Sequence, residues 1–457
     1  MRIMNPALKL LKRANQGLSL LGQRGASALG YLLQANFDVE NQAFSDAQVL
    51  GVDEGVVDGS LTVVLNTGSM SIASNKVAYS SHAGSYADYG LYYADGITRQ
   101  FGRTLMGKML MDALTSDGAD LALRAAAGTD ITAGSGVERY HYQIDSENQG
   151  FVLGIGGIEF HHDLLLPAQA DTEYDYAIVV GGYNSSGEPY LSGDKSNYTY
   201  GASFFVKGGV YTNWRVIFRT KLGNFSPMYP AFANPGVSGT FDDMGVPEQL
   251  LTGTMEFIAA SLFNADNGTS LDAYSPDIGG NFTELNGDWE IQSNKAQSDG
   301  LLDGRKMADV DAGNNDAIVV EASFTLPGSG GWGPCLCLRA TDTGSDNYIL
   351  LFQWDNELRI NKVENGTGSV LQAGETRTIA NGAKITLTAV LDGSTITGYM
   401  HTGGVRGAWV QTTTTFNQSA TLMGVGEFLD GSHGPSKVDE FAIYPLTDSA
   451  YDVLDSV

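Results

Sequence analysis

Along the second half of the chain, apolar and polar residues alternate in short runs that turn residues interrupt at regular intervals. The run 317–324 alternates and ends at the glycine-rich turn 328–331; 335–338 follows, then the turn 342–346. Next come 348–352 and 357–363, and Asn365-Gly366 leads on to 383–391. Asp392-Gly393 then joins that run to 395–400. A period of two sends successive side chains to opposite faces of a strand. Asn-Gly and Asp-Gly are the dipeptides that tight hairpins favour. The pattern predicts short antiparallel strands closed into a sandwich or barrel.

The N-terminus keeps a different period. Ala7, Leu11, Ala14, Leu18, Leu21, Gly25, Ala28 and Leu32 recur at 4-3 spacing, which lays one apolar seam along a helix. Asn5-Pro6 supplies a cap and a proline at the first helical position. Gly17, Gly22, Gly25 and Gly30 each weaken such a helix by up to about 1 kcal/mol relative to Ala. The expectation is an arm over 1–35 that orders only against a partner. Its best apolar run, Leu18-Ser19-Leu20-Leu21, is shorter than the about 7–15 residues of a signal-peptide core. No stretch approaches the ~20 apolar residues of a membrane span.

Charge sharpens the division. The first 37 residues carry five basic and no acidic side chains; the other 420 carry 21 basic and 52 acidic, a net charge of −31. A basic segment on an acidic body predicts a docking element, with Leu11, Lys12, Arg13, Leu18, Leu21 and Arg24 as its contact residues. The acidic body would repel phosphates, which argues against nucleic acid. Charged residues are sparse at 17% and aromatics reach 10%, the composition of a folded body and not of disorder. Cys335 and Cys337 are the two cysteines. Two apart on a strand, they point to one face at a separation wrong for a bridge, so buried free thiols are expected.

The body repeats itself. Gly68-Ser69-Met70-Ser71-Ile72-Ala73-Ser74-Asn75-Lys76 returns as Gly287-Asp288-Trp289-Glu290-Ile291-Gln292-Ser293-Asn294-Lys295. Upstream, Asn36 to Asn41 resembles Leu262 to Asn267; downstream, Phe241-Asp242-Asp243-Met244 matches Val438-Asp439-Glu440-Phe441. Three landmarks in one order divide the body into 36–260 and 261–457, each long enough to bury a core.

The second unit resembles the concanavalin A-like jelly rolls, the fold of legume lectins, laminin-G modules and laminarinase-type glycoside hydrolases, over essentially all of 261–447. The likeness rests on Gly287 to Asn294, Tyr348 to Phe352, Leu387 to Ile396 and Val438 to Tyr444. The first unit is looser, with Met70 in place of Trp289 and insertions around 183–200. The expected fold is all-β: two tandem antiparallel jelly-roll β-sandwiches preceded by a short N-terminal helical arm. Fold alone does not fix function, because this one hosts enzymes, lectins and scaffolds.

Laminarinase-type enzymes carry E-[ILV]-D-x-E on a strand, with outer carboxylates that a bulge must bring from about 13 Å to about 5 Å. The nearest match is Gln143-Ile144-Asp145-Ser146-Glu147. Gln143 stands in the nucleophile's place and cannot form a glycosyl ester, so no enzyme is expected. His161 and His162 are adjacent on a predicted strand and face opposite ways. Asp309, Asp311 and Asp316 have calcium-like spacing without the distal Glu of an EF-hand; an ordinary turn competes with that reading, and no other cofactor is indicated. Sugars are held by aromatic platforms and a few fixed polar groups. The first unit is rich in tyrosine, including Tyr140, Tyr142, Tyr190, Tyr198 and Tyr200. The run 85–93 reads as a surface loop in which Tyr86, Tyr89, Tyr92 and Tyr93 stack on a neutral glycan and Asp88 accepts its hydroxyls. Tyrosines pairing across strands are the competing reading.

Tandem jelly rolls without catalytic residues, carrying a basic docking arm, resemble the surface components of tailed-phage virions. That resemblance implies synthesis in the host cytoplasm, docking of the arm onto other virion proteins, a homo-oligomer with a trimer favoured, and adhesion to host glycans. The alternatives are a secreted bacterial carbohydrate-binding or adhesive protein and a degenerate glycoside hydrolase.

Overall fold

The computed structural model describes residues 31–65, 69–80, 89–93, 95–112, 120–124, 139–145, 150–155, 158–162, 169–233, 238–255, 257–298, 304–313, 317–328, 333–341, 347–354, 356–403, 405–429 and 435–456. The arm residues Leu11, Lys12, Arg13, Leu18, Leu21 and Arg24 lie outside them, as do Tyr86, Asp88, Glu147 and Asp316.

The chain folds as two tandem antiparallel jelly-roll β-sandwiches. In the first, a ten-stranded sheet faces an eight-stranded one; in the second, a nine-stranded sheet faces a seven-stranded one. The larger sheet of the first runs Tyr211–Thr220, Tyr200–Gly208, Glu173–Tyr183, Thr104–Met111, Gly239–Pro247, Lys76–Tyr79, Met70–Ala73, Gln42–Ala43. The larger sheet of the second runs Val405–Thr413, Thr395–Thr402, Lys384–Asp392, Ile318–Thr325, Lys437–Pro445, Ala296–Ser298, Trp289–Ile291, Thr269–Ser270. The two orders correspond strand for strand, so the sequence repeat is a repeat of topology.

Its landmarks are structural. Both copies turn a hairpin at Ser-Asn with positive φ at each residue: 54° and 66° at Ser74 and Asn75, 57° and 58° at Ser293 and Asn294. That is the twist a two-residue hairpin needs. Phe37 and Phe263 share the left-handed conformation at 49° and 53°, and both rings are buried.

Alternation builds each core. Ile318, Val320, Ala322 and Phe324 of one strand point inward with Trp289, Leu351, Leu387 and Phe441. In the first sandwich Ile72, Val77, Ile178, Phe204 and Phe241 do the same, and Phe232 stacks on Phe241 at 4.0 Å. The outer faces of the two larger sheets then meet each other. Ala177, Val179, Phe205, Trp214 and Val216 pack against Val319, Tyr444 and Leu446. The Val216 amide donates to the Leu446 carbonyl at 3.0 Å. The C-terminal 3-10 helix, Ser449–Ser456, completes the contact. Tyr451 lies edge-on to Phe205 at 4.9 Å, and Asp455 accepts from the Trp214 indole at 2.9 Å and from Lys207 at 2.6 Å.

Three sequence expectations need correction. Tyr31–Ala35, expected at the end of the helical arm, is a strand in which Leu33 pairs with Val246 and Ala35 with Met244. The buried Leu33 and Ala35 obey a period of two that the longer seam had masked. Tyr89–Tyr93, expected as a loop, is a strand between Leu61–Leu65 and Tyr229–Ala233. A tyrosine ring has enough apolar surface to fill a strand that its Gly, Ser and Asp neighbours disguise. Thr367–Thr376, where no strand was expected, ends the seven-stranded sheet and is mostly exposed, so it lacks an apolar face to advertise it. Cys335 and Cys337 are buried thiols that form no disulfide, as expected.

Candidate functional site

A cleft of about 490 Å³ lies between the two sandwiches. Strand alternation dictates its chemistry. In Ile318–Thr325 the residues facing away from the core are Val319, which joins the inter-sandwich contact, and then Glu321 and Ser323, which line the cleft. Ser323 pairs in register with Thr386 and Glu440, and Glu321 pairs with Thr388 and Ala442. Ser323, Thr386 and Glu440 therefore form one polar row across three strands. The Ser323 and Thr386 hydroxyls are 3.0 Å apart, and the Thr388 hydroxyl donates to Glu321 at 3.0 Å.

The first sandwich supplies the opposing wall: Ser186, Gly187 and Glu188 from the connection after Glu173–Tyr183, and Phe218 to Leu222 from the end of Tyr211–Thr220 and beyond. Lys221 pairs with Glu440 across the cleft, with side chains 25% and 11% exposed. Burial would lower the Lys221 ammonium, but Glu440 and Glu321 beside it outweigh that and hold it above its ordinary value. Burial raises the Glu321 carboxyl, with Lys221 opposing. Behind them Arg219 is buried, stacked 4.1 Å over the Tyr444 ring, and donates to the Thr254 carbonyl at 3.2 Å. At the other end Lys295 pairs with Asp439, which also accepts from Thr325 at 2.8 Å and lies 3.4 Å from Lys384.

The charged residues lining the cleft balance: Arg219, Lys221, Lys295 and Lys384 against Glu188, Glu321, Asp439 and Glu440. A locally neutral wall in a body of net charge −31 neither attracts nor repels an ion strongly. Paired ammonium and carboxylate groups, hydroxyls at Ser323 and Thr386 and the amides of Asn264 and Asn294 suit a ligand made of hydroxyl groups. A second feature sits on the same connection. Tyr190 and Tyr198, both half-buried, meet edge-on at 5.1 Å, and Tyr190 lies 5.0 Å from the buried Phe101.

Of the glycan-binding residues expected from sequence, the two whose side chains are described, Tyr92 and Tyr93, face opposite ways. Tyr93 points into the first core and donates to the Leu32 carbonyl at 3.0 Å. Tyr92 lies on the other face of its strand, half-buried against Val64 and Ala231. Tyr89 belongs to the same strand. Asp309 and Asp311 end the strand Gly304–Asp311, and Asp311 accepts from the Gly313 amide at 2.8 Å. Hydrogen bonds from Thr421 and Gly313 hold its carboxyl below the usual range. Among the described residues no three His, Cys, Asp or Glu side chains gather to hold a metal ion, and no helix is long and apolar enough to cross a membrane.

No family model matches the sequence, and none of the curated proteins does. Solved structures similar to parts of the chain include a carbohydrate-binding module from Bacillus subtilis, at TM-score 0.27 and 19% identity over 35% of this chain and 91% of the module. Another is a module of the evolved Dit of Lactobacillus casei BL23 phage J-1, at TM-score 0.29 and 10% identity over 42% of this chain and 98% of the module. A third is the carbohydrate recognition domain of Emp46p, at TM-score 0.27 and 12% identity over 39% of this chain and 95% of that domain.

Proposed function

We propose that the chain is a non-catalytic glycan-binding protein whose ligand, a neutral polysaccharide, enters the cleft between the sandwiches. The observation that carries this reading is the charge-balanced polar row of Ser323, Thr386 and Glu440 facing Lys221. Hydroxyl-rich ligands are bound by such convergent donors and acceptors, and a cleft of about 490 Å³ is within the usual range for a small-ligand site.

Retaining or inverting hydrolysis needs one carboxyl as acid and a second as nucleophile or base, both aimed at the scissile bond. In the cleft Glu440 is engaged by Lys221, Asp439 by Lys295, and Glu321 by the Thr388 hydroxyl. These three carboxylates are committed to holding the wall, and Glu188, the fourth in the cleft, accepts from the Asn184 side-chain amide, which supports binding without turnover.

The wider setting we propose is the surface of a tailed-phage virion, with the basic N-terminal segment docked on a neighbouring virion protein and copies associated as an oligomer. Glycan-array screening of the full chain tests the binding role. Neutral glycans should bind, Asn264→Ala and Lys384→Ala should weaken them, and no reducing ends should be released. Binding indifferent to both changes would remove the cleft from the account. Antibody labelling of intact particles tests the setting, and particles that never carry the chain would refute it.

A further inference from the structure

Resting on the cleft as a glycan site, we infer that Tyr190 and Tyr198 form an aromatic shelf continuing it, so that the ligand is an extended glycan chain and not a single terminal sugar. The two larger sheets share one strand order, so each connection in one has a counterpart in the other. In the second sandwich the strands Lys384–Asp392 and Thr395–Thr402 are joined by the two residues Gly393 and Ser394. Their counterparts in the first, Glu173–Tyr183 and Tyr200–Gly208, are joined by 184–199. The jelly roll closes without this addition, and the addition supplies both Ser186 to Glu188 of the cleft wall and the two tyrosines.

The shelf lies beside the cleft by chain geometry. Tyr190 follows Glu188 by two residues, which places their Cα atoms within about 7 Å. The segment is also held firmly. The Asn184 side-chain carbonyl accepts from the Ser186 and Glu188 amides at 2.9 and 3.0 Å. Gly182 accepts from the Tyr190 amide at 2.7 Å and donates to the Tyr198 carbonyl at 2.9 Å, clamping the two tyrosines on either side of it. Beneath, Gly181 at φ 98° lets the strand approach Phe101, whose Cα would lie 2.8 Å from a Cβ there. Phe101 is the buried support, while Tyr190 and Tyr198 are half-buried. The Lys195 ammonium lies over the Tyr190 ring, 5.6 Å from its centre, and is tied to the Thr252 hydroxyl at 2.8 Å. Pre-set rings beside a polar cleft suit stacking against the apolar faces of successive sugar units.

The test titrates the full chain with disaccharides and hexasaccharides of glucose and of mannose. Wild type should bind the longer ligands more tightly. Tyr190→Ala with Tyr198→Ala should lower hexasaccharide affinity about tenfold and leave disaccharide affinity within about twofold. Tyr190→Phe with Tyr198→Phe, which preserves the stacking area, should retain the length dependence. Wild-type affinity that ignores length, or an equal loss for short and long ligands, overturns the shelf while leaving the cleft standing. Absence of binding at both lengths removes the cleft and the shelf together.

Discussion

The side-chain carbonyl of Asn267 accepts a 2.7 Å hydrogen bond from the backbone amide of Ser293, 26 residues further along the chain. Asn41 does the same for Ser74 at 3.1 Å. In both sandwiches the bond ties the chain entering the fold to the Ser-Asn hairpin, where the backbone is left-handed. The sequence motif shared by the two halves is thus kept by one repeated contact.

Removing that contact should cost each sandwich separately. Asn267→Ala and Asn41→Ala should each destabilise by about 1 kcal/mol, the net worth of one such hydrogen bond. Asn294→Gly should be tolerated because glycine accepts positive φ, whereas Asn294→Val should cost more than Asn267→Ala. Urea-unfolding midpoints of the four variants check this order.

Stability should fall as pH rises toward neutrality. Glu427 is buried and accepts from the Ser298 hydroxyl at 2.9 Å and from the Ser436 amide; burial pushes its carboxyl up to about 7 against the opposing pull of those bonds. Burial, and then the charge of Asp243, push Asp242 to about 7 as well. Between the unfolded value near 4 and about 7 the folded state binds more protons, so the stability of unfolding declines with pH. The contribution is complete below the unfolded value and lost as pH rises through about 7. For Glu427 it is about 3 kcal/mol. Glu427→Gln keeps an acceptor for Ser436, and its amide can donate to Ser298. Thermal midpoints of this variant should show a clearly smaller decline between about pH 5 and pH 8 than wild type.

The Lys221–Glu440 pair should act as a latch between sandwiches. Lys221→Glu sets two acids against each other in a half-buried cleft and should cost about 2 kcal/mol of inter-sandwich coupling. Lys221→Glu with Glu440→Lys should recover most of it. Calorimetry should show the sandwiches melting further apart in the single variant than in wild type, with the double variant in between or restored. A single variant indistinguishable from wild type would show that the apolar contact alone sets the docking.

The N-terminal truncation has a structural boundary. Removing residues 1–30 should leave a folded body that no longer assembles, because the strand Tyr31–Ala35 remains paired. Removing 1–35 strips Leu33 and Ala35 from the first core and should lower its melting temperature. Circular dichroism and particle-incorporation assays on the two truncations separate these effects.

The fold was largely legible because alternation and hairpin dipeptides act locally. Ile318–Thr325 and the turn at Gly393 follow the pattern almost residue for residue. The strand Tyr89–Tyr93, which sends Leu91 and Tyr93 into the core beside a run of small polar neighbours, escaped for the same reason: its pattern is weak although its packing is good. The cleft was illegible for a different reason. Lys221 and Glu440 are 219 residues apart, and Glu321 and Ser323 read as the solvent face of an isolated sandwich. Only docking of a second sandwich on that face turns them into the wall of a site. The insertion 183–200 was visible in the sequence, but its place beside the cleft depends on the same docking.

The central claim is tested most directly by a crystal structure of the full chain soaked with a neutral hexasaccharide. Sugar density between Ser323, Thr386 and Lys221, running out over Tyr190 and Tyr198, is the predicted result. An empty cleft with sugar bound elsewhere, for instance on the outer face of the eight-stranded sheet beside Tyr92, would contradict it.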